Sequence, residues 1–302
     1  MNALGTLTRI ERALREHTGN AFRITESRAV HGGDTHRALV VGGGGARYFV
    51  KHGPAGTREM FEAEADGLAA LAETGAVRVP AVVALAHDDE GACLILEHLD
   101  LSPLATPEDG ARFGEALAEL HQHVGDRFGW PRHNFIGRSP QDNTPGDNWA
   151  RFFALHRLAP QLARARENGF GGDLQRHGER LLDRLAGLFL DYRPQPSLLH
   201  GDLWHGNAAM TADGQPALFD PAVYRGDRES DLAMAELFGG FPPAFYAAYR
   251  RAWPLNDGYE RRKPLYALYH VLNHLNLFGR GYLREAERLA ARLDHELGTR
   301  SA

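Results

Sequence analysis

The alternation of apolar and polar positions changes character once along the chain, near residue 100. Residues 4–17 repeat apolar side chains at helical intervals and predict a short amphipathic helix. From Phe22 to Lys51 the pattern is that of strands. Phe22–Val30, Thr35–Val41 and Arg47–Lys51 predict three of them, with Gly42–Gly45 between the last two. Four glycines in a row could cradle a phosphate, but their place between adjacent strands favours a hairpin turn. Phe61, Glu64, Leu68 and Leu71 then follow at spacings of 3, 4 and 3, on one face of a helix. Thr57 is placed to cap that helix, with Glu59 in its first turn. The acid at 64 lies on the inward stripe, where a carboxylate needs a partner. Val79–Ala86 and Cys93–Leu99 predict two more strands.

After Pro103 the chain turns mostly helical. Phe113, Leu117, Leu120 and Val124 form a stripe at 4, 3 and 4, and Trp149–Arg166 and Leu174–Leu190 predict further helices. Two short apolar pieces within Leu198–Phe219 flank the turn Asp213-Gly214, and residues 231–302 are helical again, broken at Gly239-Gly240 and Pro242-Pro243. Strands followed by helices predict an α+β fold. The expected division is an N-terminal lobe, 1–99, with a five-stranded antiparallel sheet plus a helix, and a mainly α-helical lobe, 100–302.

Composition narrows the function. Of 302 residues 43% are hydrophobic, enough for two lobes with cores of their own. The net charge of −5 argues against nucleic acid or a membrane surface as partner, since both are anionic. One cysteine, Cys93, forms no intrachain disulfide and reads as a small buried hydrophobe. Met1–Ile10 has no apolar signal core and no run approaches the ~18 apolar residues of a membrane span, so a cytoplasmic location is expected. Basic charge is almost all arginine, and the only lysines are Lys51 and Lys263.

The segment His200-Gly201-Asp202-Leu203-Trp204-His205-Gly206-Asn207 follows an apolar strand and sets Asp and Asn five apart, with Asp220 at the end of Ala217–Phe219. Phosphoryl transfer needs a carboxylate to take the proton of the attacking hydroxyl and oxygen ligands for Mg²⁺. Asp202 suits the first role, Asn207 and Asp220 the second, in the H-x-D-x-x-x-x-N spacing of a kinase catalytic loop. Upstream, Lys51 at a strand end and Glu64 on the next helix suit the pair that holds the phosphates of ATP. Gly32 and Gly33 sit between strands one and two, where a phosphate-covering loop belongs. Neither lysine is followed by Ser or Thr, and no G-x-G-x-x-G occurs, which removes the Walker and dinucleotide patterns. His200 and His205 lack a third ligand at regular spacing, so His200 reads as a brace for the loop rather than a zinc ligand. Trp204 is divided between core packing and a wall for the acceptor. Asp231 suits a brace for the loop backbone, and Asp227 and Glu229 suit capping of the following helix.

These residues resemble the fructosamine (ketosamine) kinase family. The resemblance is carried by His200–Trp204, Phe219-Asp220-Pro221-Ala222, Gly226–Met234, Asn273–Gly279, Phe49-Val50-Lys51, Met60–Glu64 and Val79-Pro80, and spans about residues 10–290. The Asp/Asn/Asp set is shared with aminoglycoside and choline kinases, whereas Leu203-Trp204 and Gly226–Glu229 are more specific. The resemblance implies a two-lobed protein-kinase-like fold and ATP- and Mg²⁺-dependent phosphorylation of a sugar hydroxyl on a small-molecule glycated amine or glycated lysine. In the family the phosphorylated product releases the free amine. It also implies a hinge at Glu97–Leu99 whose backbone holds adenine, and the roles given above for Lys51, Glu64, Asp202, Asn207 and Asp220. Two departures stand out. His205 occupies a place where a small residue is expected, beside the acceptor with Trp204, so a narrowed acceptor pocket is expected. The loop His31-Gly32-Gly33-Asp34 carries no cysteine, which excludes a disulfide switch there. The alternatives are another acceptor on the same machinery, of the aminoglycoside or choline type, and a pseudokinase that binds nucleotide without transfer.

Overall fold

The computed structural model describes residues 3–18, 22–30 and 37–299. Helix α1 (Ala3–Thr18) precedes strands β1 (Glu26–Val30), β2 (Arg37–Gly43) and β3 (Ala46–Gly53), helix α2 (Arg58–Glu73), and strands β4 (Val82–Asp88) and β5 (Gly91–Glu97). The five strands form one antiparallel sheet in the order β1-β2-β3-β5-β4. The glycine run is the β2–β3 hairpin: Gly43 pairs with Ala46, and Gly44 and Gly45 take φ of 61° and 84°, the positive values that a tight two-residue turn demands.

The strand period of two decides what faces what. On β3 and β5, Val50, Cys93 and Ile95 point to one side and pack against Ile10 and Leu14 of α1. Leu94 and Leu96 point to the other side and pack against Phe61, Leu68 and Leu71 of α2. Lys51, paired with Leu94, shares that second face. The same core continues into the helical part through Phe113, Leu117, Leu203, Leu218 and Phe245.

The first strand is shorter than its pattern predicts, beginning at Glu26, and its side chains are largely exposed because it is an edge. Thr57 occupies the N-cap position of α2 but its hydroxyl donates to the carbonyl of Pro54 instead. Strand β6 (Leu101–Ser102) leads to α3 (Pro107–His121), which Thr106 and Asp109 close with a reciprocal capping box. Val124 lies beyond the end of α3 and is exposed, so the predicted stripe stops one turn early. A short hairpin follows, β7 (Asn134–Ile136) and β8 (Ser139–Gln141), which the sequence pattern did not announce. The predicted helix at 149–166 is α4 (Trp149–Phe153) and α5 (Ala159–Glu167) joined by one π-helical turn, Ala154–Leu158. Helix α6 (Asp173–Arg184) ends in a 3₁₀ turn, Leu185–Leu188.

Strand β9 (Ser197–Leu199) delivers the chain to the candidate catalytic loop. Strands β10 (Ala208–Thr211) and β11 (Pro216–Leu218) form the next hairpin, β10 pairing with β6 as well, and β12 (Tyr224–Gly226) pairs with β9. Helices α7 (Glu229–Leu237), α8 (Pro243–Ala252), α9 (Tyr259–Phe278) and α10 (Leu283–Gly298) complete the chain. No helix among the described residues is long and apolar enough to cross a membrane.

The start of α7 is tied to α9 by a fully buried ion pair, with Arg262 donating to both Glu229 oxygens at 2.7 Å. A buried charge stripped of its partner is costly. Arg262→Met should therefore lower unfolding free energy by about 3–5 kcal/mol at pH 8 in urea titrations, and adding Glu229→Gln should recover part of the loss. An unchanged urea midpoint for the single variant would contradict the assignment.

Candidate active site

The site is built around one cation. Lys51 Nζ lies 2.5 Å from Glu64 Oε1 on α2 and 2.8 Å from Asp220 Oδ1 beyond β11. Its side chain is only 9% exposed. Burial by itself would lower the ammonium pKa, but Asp220 and Glu64 outweigh it and hold Lys51 charged above the usual lysine range. The sheet, α2 and the segment after β11 thus converge on a single nitrogen.

The loop after β9 is fixed from below. Asp231 accepts the backbone N–H groups of His200 (2.7 Å) and Gly201 (2.9 Å), and a bond from the buried ring of His121 (3.2 Å). Gly201 takes φ of 83°, and a Cβ there would sit 2.1 Å from the carbonyl oxygen of Ala222, so the turn accepts only glycine. His200 is fully buried. Its Nδ1 accepts the N–H of Asp202 at 3.3 Å, which leaves Nε2–H to donate to Phe219 O at 3.0 Å. Burial lowers its pKa and favours this neutral tautomer. Both ring nitrogens are occupied in joining the loop to the residue before Asp220.

Asp202, Asn207 and Asp220 come together as their order in the chain suggests. The Asn207 side-chain amide donates to the Asp202 carbonyl at 3.0 Å and reaches its carboxylate at 3.4 Å. The N–H of Phe219 donates to Asn207 O at 3.2 Å, locking the end of β11 to the loop. Asp220 has φ of 58°, the only non-glycine with positive φ among the described residues. Such a conformation costs about 1–3 kcal/mol and persists where surrounding bonds over-determine it. Asp202 is pushed up to about 7, first by burial, then by the negative charges of Asp220 and Asp231, with Asn207 opposing. A carboxyl poised near neutrality is suited to taking up a proton.

Two cavities open onto Asp220. One, of about 130 Å³, is lined by Lys51, Glu64, Asp202 and Asn207 on one side, and by Asn134, Phe135, Trp204, Asn273, His274 and Phe278 among others. The other, of about 580 Å³, lies against one face of the sheet, lined by Val30, Val40, Phe49 and Leu96 together with Glu97, Leu99 and Phe219. Glu97 and Leu99 line the larger cavity, with the Glu97 carboxylate itself taken up by Arg78. Gly32 and Gly33 lie outside the described residues.

Trp204 stands on the wall of the smaller cavity. His205 does not: its ring is exposed, packs edge-on to Trp204 and bonds through Nδ1 to Phe238 O at 2.9 Å. The carbonyl of Phe238 gives the imidazole a partner away from the cavity, so the expected narrowing of the pocket by His205 does not occur. Asp227 accepts from Tyr192, Tyr266 and the N–H of Glu229, and so combines capping with a buried tie. Asn134 and Phe135 escaped the sequence reading because a short polar hairpin has no periodicity to betray it. Asn273 and His274 entered it only within a family motif.

The family model for fructosamine kinase matches residues 6–296. A probable ketoamine kinase of Synechocystis sp. is 44% identical over 281 residues, covering 93% of this chain and 94% of that one. The chloroplastic protein-ribulosamine 3-kinase of Arabidopsis thaliana is 38% identical over 271 residues, covering 89% of this chain and 82% of the relative. The crystal structure of a candidate fructosamine-3-kinase from Haemophilus somnus 129PT superimposes with a TM-score of 0.88 at 32% identity, over 95% and 97% of the two chains.

The carboxylate arrangement makes a direct prediction about Asp202. Carbon-detected NMR of the ligand-free protein should show its side chain titrating near pH 7, as burial and its two acidic neighbours require. Asp220→Asn removes one of those charges and should move the midpoint down toward the usual carboxylate range. A wild-type midpoint near 4 would contradict the geometry.

Proposed function

The chain belongs to the fructosamine kinase family, and from that premise we propose that it transfers the γ-phosphoryl group of ATP to a sugar hydroxyl of a ketosamine, such as fructosyl- or ribulosyl-lysine. The observation that carries this reading is that both cavities open onto Asp220. The apolar cavity against the sheet face suits a purine, and the acid-lined one suits a hydroxylated acceptor. The transferred group then sits where Lys51, Asp202, Asn207 and Asp220 converge.

Each residue has one task. Lys51 offers its ammonium to the phosphates, with Glu64 holding it in place. Asp202 accepts the proton of the attacking hydroxyl as that oxygen bonds to phosphorus and ADP departs. Asn207 spends its amide nitrogen on Asp202, which leaves its oxygen as a donor beside the partly exposed carboxylate of Asp220. This hard oxygen set fits Mg²⁺, and Asn207 and Asp220 would hold it. When bound, the ion supplies positive charge that offsets the phosphate oxygens.

Among the described residues, the acceptor side of the smaller cavity, formed by Asn134, Phe135, Trp204, Asn273, His274, Leu277 and Phe278, bears no carboxylate. Residues 250–302 carry ten Lys+Arg against six Asp+Glu, a local net of +4. A polycationic aminoglycoside needs the opposite charge pattern. A ketosamine offers hydroxyls and a single amine, which amides and an aromatic face can hold.

Asp202→Asn should retain ATP binding and lose ~10²–10⁴-fold in turnover, and wild-type kcat/KM should fall as pH drops through about 7, because protonated Asp202 cannot accept the hydroxyl proton. Wild-type turnover in the variant would assign the base elsewhere. In a coupled ADP-release assay, fructosyl- and ribulosyl-lysine should support turnover and kanamycin should not. Lys51→Ala should abolish that turnover, while Lys263→Ala, which breaks the pairs to Glu236 and Glu260 and the contact with the Tyr259 ring, should not. Robust kanamycin phosphorylation with neither ketosamine turned over would refute the acceptor assignment.

A further inference from the structure

Arg157 is an unusual residue for a protein interior. It is fully buried, sits on the π-helical turn, and forms no ion pair among the described residues. Its guanidinium lies 4.0 Å from the ring centre of Tyr224 and 4.9 Å from that of Phe152, and its Nε has no hydrogen-bond partner. A buried charge without a counter-ion is expensive and calls for a reason. π-helical turns within α-helices occur frequently at functional sites.

One donor of Arg157 enters a chain of side-chain amides, and the other serves main-chain carbonyls. One nitrogen donates to the carbonyls of Asp142 (2.6 Å) and His156 (2.9 Å), and the other to Asn143 Oδ1 (2.6 Å). Asn143 Nδ2 donates to Asn134 Oδ1 at 2.8 Å, and Asn134 Nδ2 donates to the carbonyl of Val223 at 2.7 Å. Beside it, Gln141 Nε2 donates to Asn134 Oδ1 (2.8 Å) and to Ala222 O (3.2 Å), while Tyr269 donates to Gln141 Oε1 (2.7 Å). Every amide in this chain is oriented by the one before it, and hydrogen bonds aligned in this way polarise one another.

The chain ends on the two carbonyls that follow Asp220-Pro221. That is the segment with the strained φ of 58°, which must be held by its surroundings. From the other side it is held by Ala222 N–H donating to His200 O at 2.8 Å. We propose that Arg157 is a positioning residue for phosphoryl transfer, acting through Asn143 and Asn134 to clamp the backbone at Ala222 and Val223 and so aim the carboxylate of Asp220. The proposal rests on Asp220 being a metal ligand.

Asn143→Asp separates this role from simple stability. The new carboxylate gives Arg157 a counter-ion, which offsets the lost donation to the Arg132 carbonyl, so melting temperature should hold, but an oxygen then faces Asn134 Oδ1. Asn134 can escape only by turning its own oxygen toward Val223 O. Isothermal titration of ATP with and without Mg²⁺, on the full chain without acceptor, should show metal-free affinity unchanged and the gain in affinity from Mg²⁺ reduced. Turnover should fall about tenfold to a hundredfold. Arg157→Lys, which keeps the charge but not the forked donation, should act in the same direction. The inference is overturned if folded Asn143→Asp, or folded Arg157→Lys where the first variant melts, keeps wild-type turnover and Mg²⁺ enhancement. It is also overturned if metal-free binding falls in step with fold, or if both variants unfold, since the network then serves stability alone. Absence of any Mg²⁺ enhancement in the wild type would instead remove the metal assignment, and this inference with it.

Discussion

One ammonium group is shared by three parts of the chain, and the rest of the site depends on it. Lys51 reaches it from the sheet, Glu64 from α2, and Asp220 from beyond β11. Neither carboxylate could be held so close to the other without the cation, and the cation could not be buried without them. Two acids against one lysine leave the cluster short of positive charge. That shortage is felt at Asp202, which the negative field of Asp220 and its own burial push up to about 7. It also makes the cluster receptive to a further cation.

The constraint explains why features distant in sequence must agree. The two-residue period of β3 turns Val50 to α1 and Lys51 to α2, and a one-residue slip would exchange them. Asp231 has no contact with Lys51, yet it fixes the backbone of His200 and Gly201, and His200 in turn fixes the residue before Asp220. The loops of the site are fixed largely by bonds to backbone groups, and its reactive side chains pair with one another around the smaller cavity.

Much of this was legible in the sequence because it rests on local rules. Helical spacing placed Glu64 inward, and loop spacing brought Asp202, Asn207 and Asp220 together. The five strands were recognisable by alternation, although β1 starts later than Phe22 because an edge strand has little burial to mark its limits. What sequence could not show depends on partners far along the chain. The hydroxyl of Thr57 found the Pro54 carbonyl, and the ring of His205 found that of Phe238 rather than the acceptor cavity. Asn134, Gln141 and Arg157 are polar residues with no periodicity, buried only because they satisfy one another and the backbone after Asp220. Nothing in a hydropathy pattern distinguishes such residues from a solvated loop.

The central claim is that Asp220, which pairs with Lys51 in the ligand-free protein, is also the carboxylate that binds the metal carried with ATP. Titrating Mg²⁺ calorimetrically into the ATP-bound protein tests it most directly, with wild type compared with Asp220→Asn. The account predicts saturable Mg²⁺ binding in the wild type and its loss in the variant, while ATP alone still binds both. Equal Mg²⁺ binding by the two proteins would contradict it.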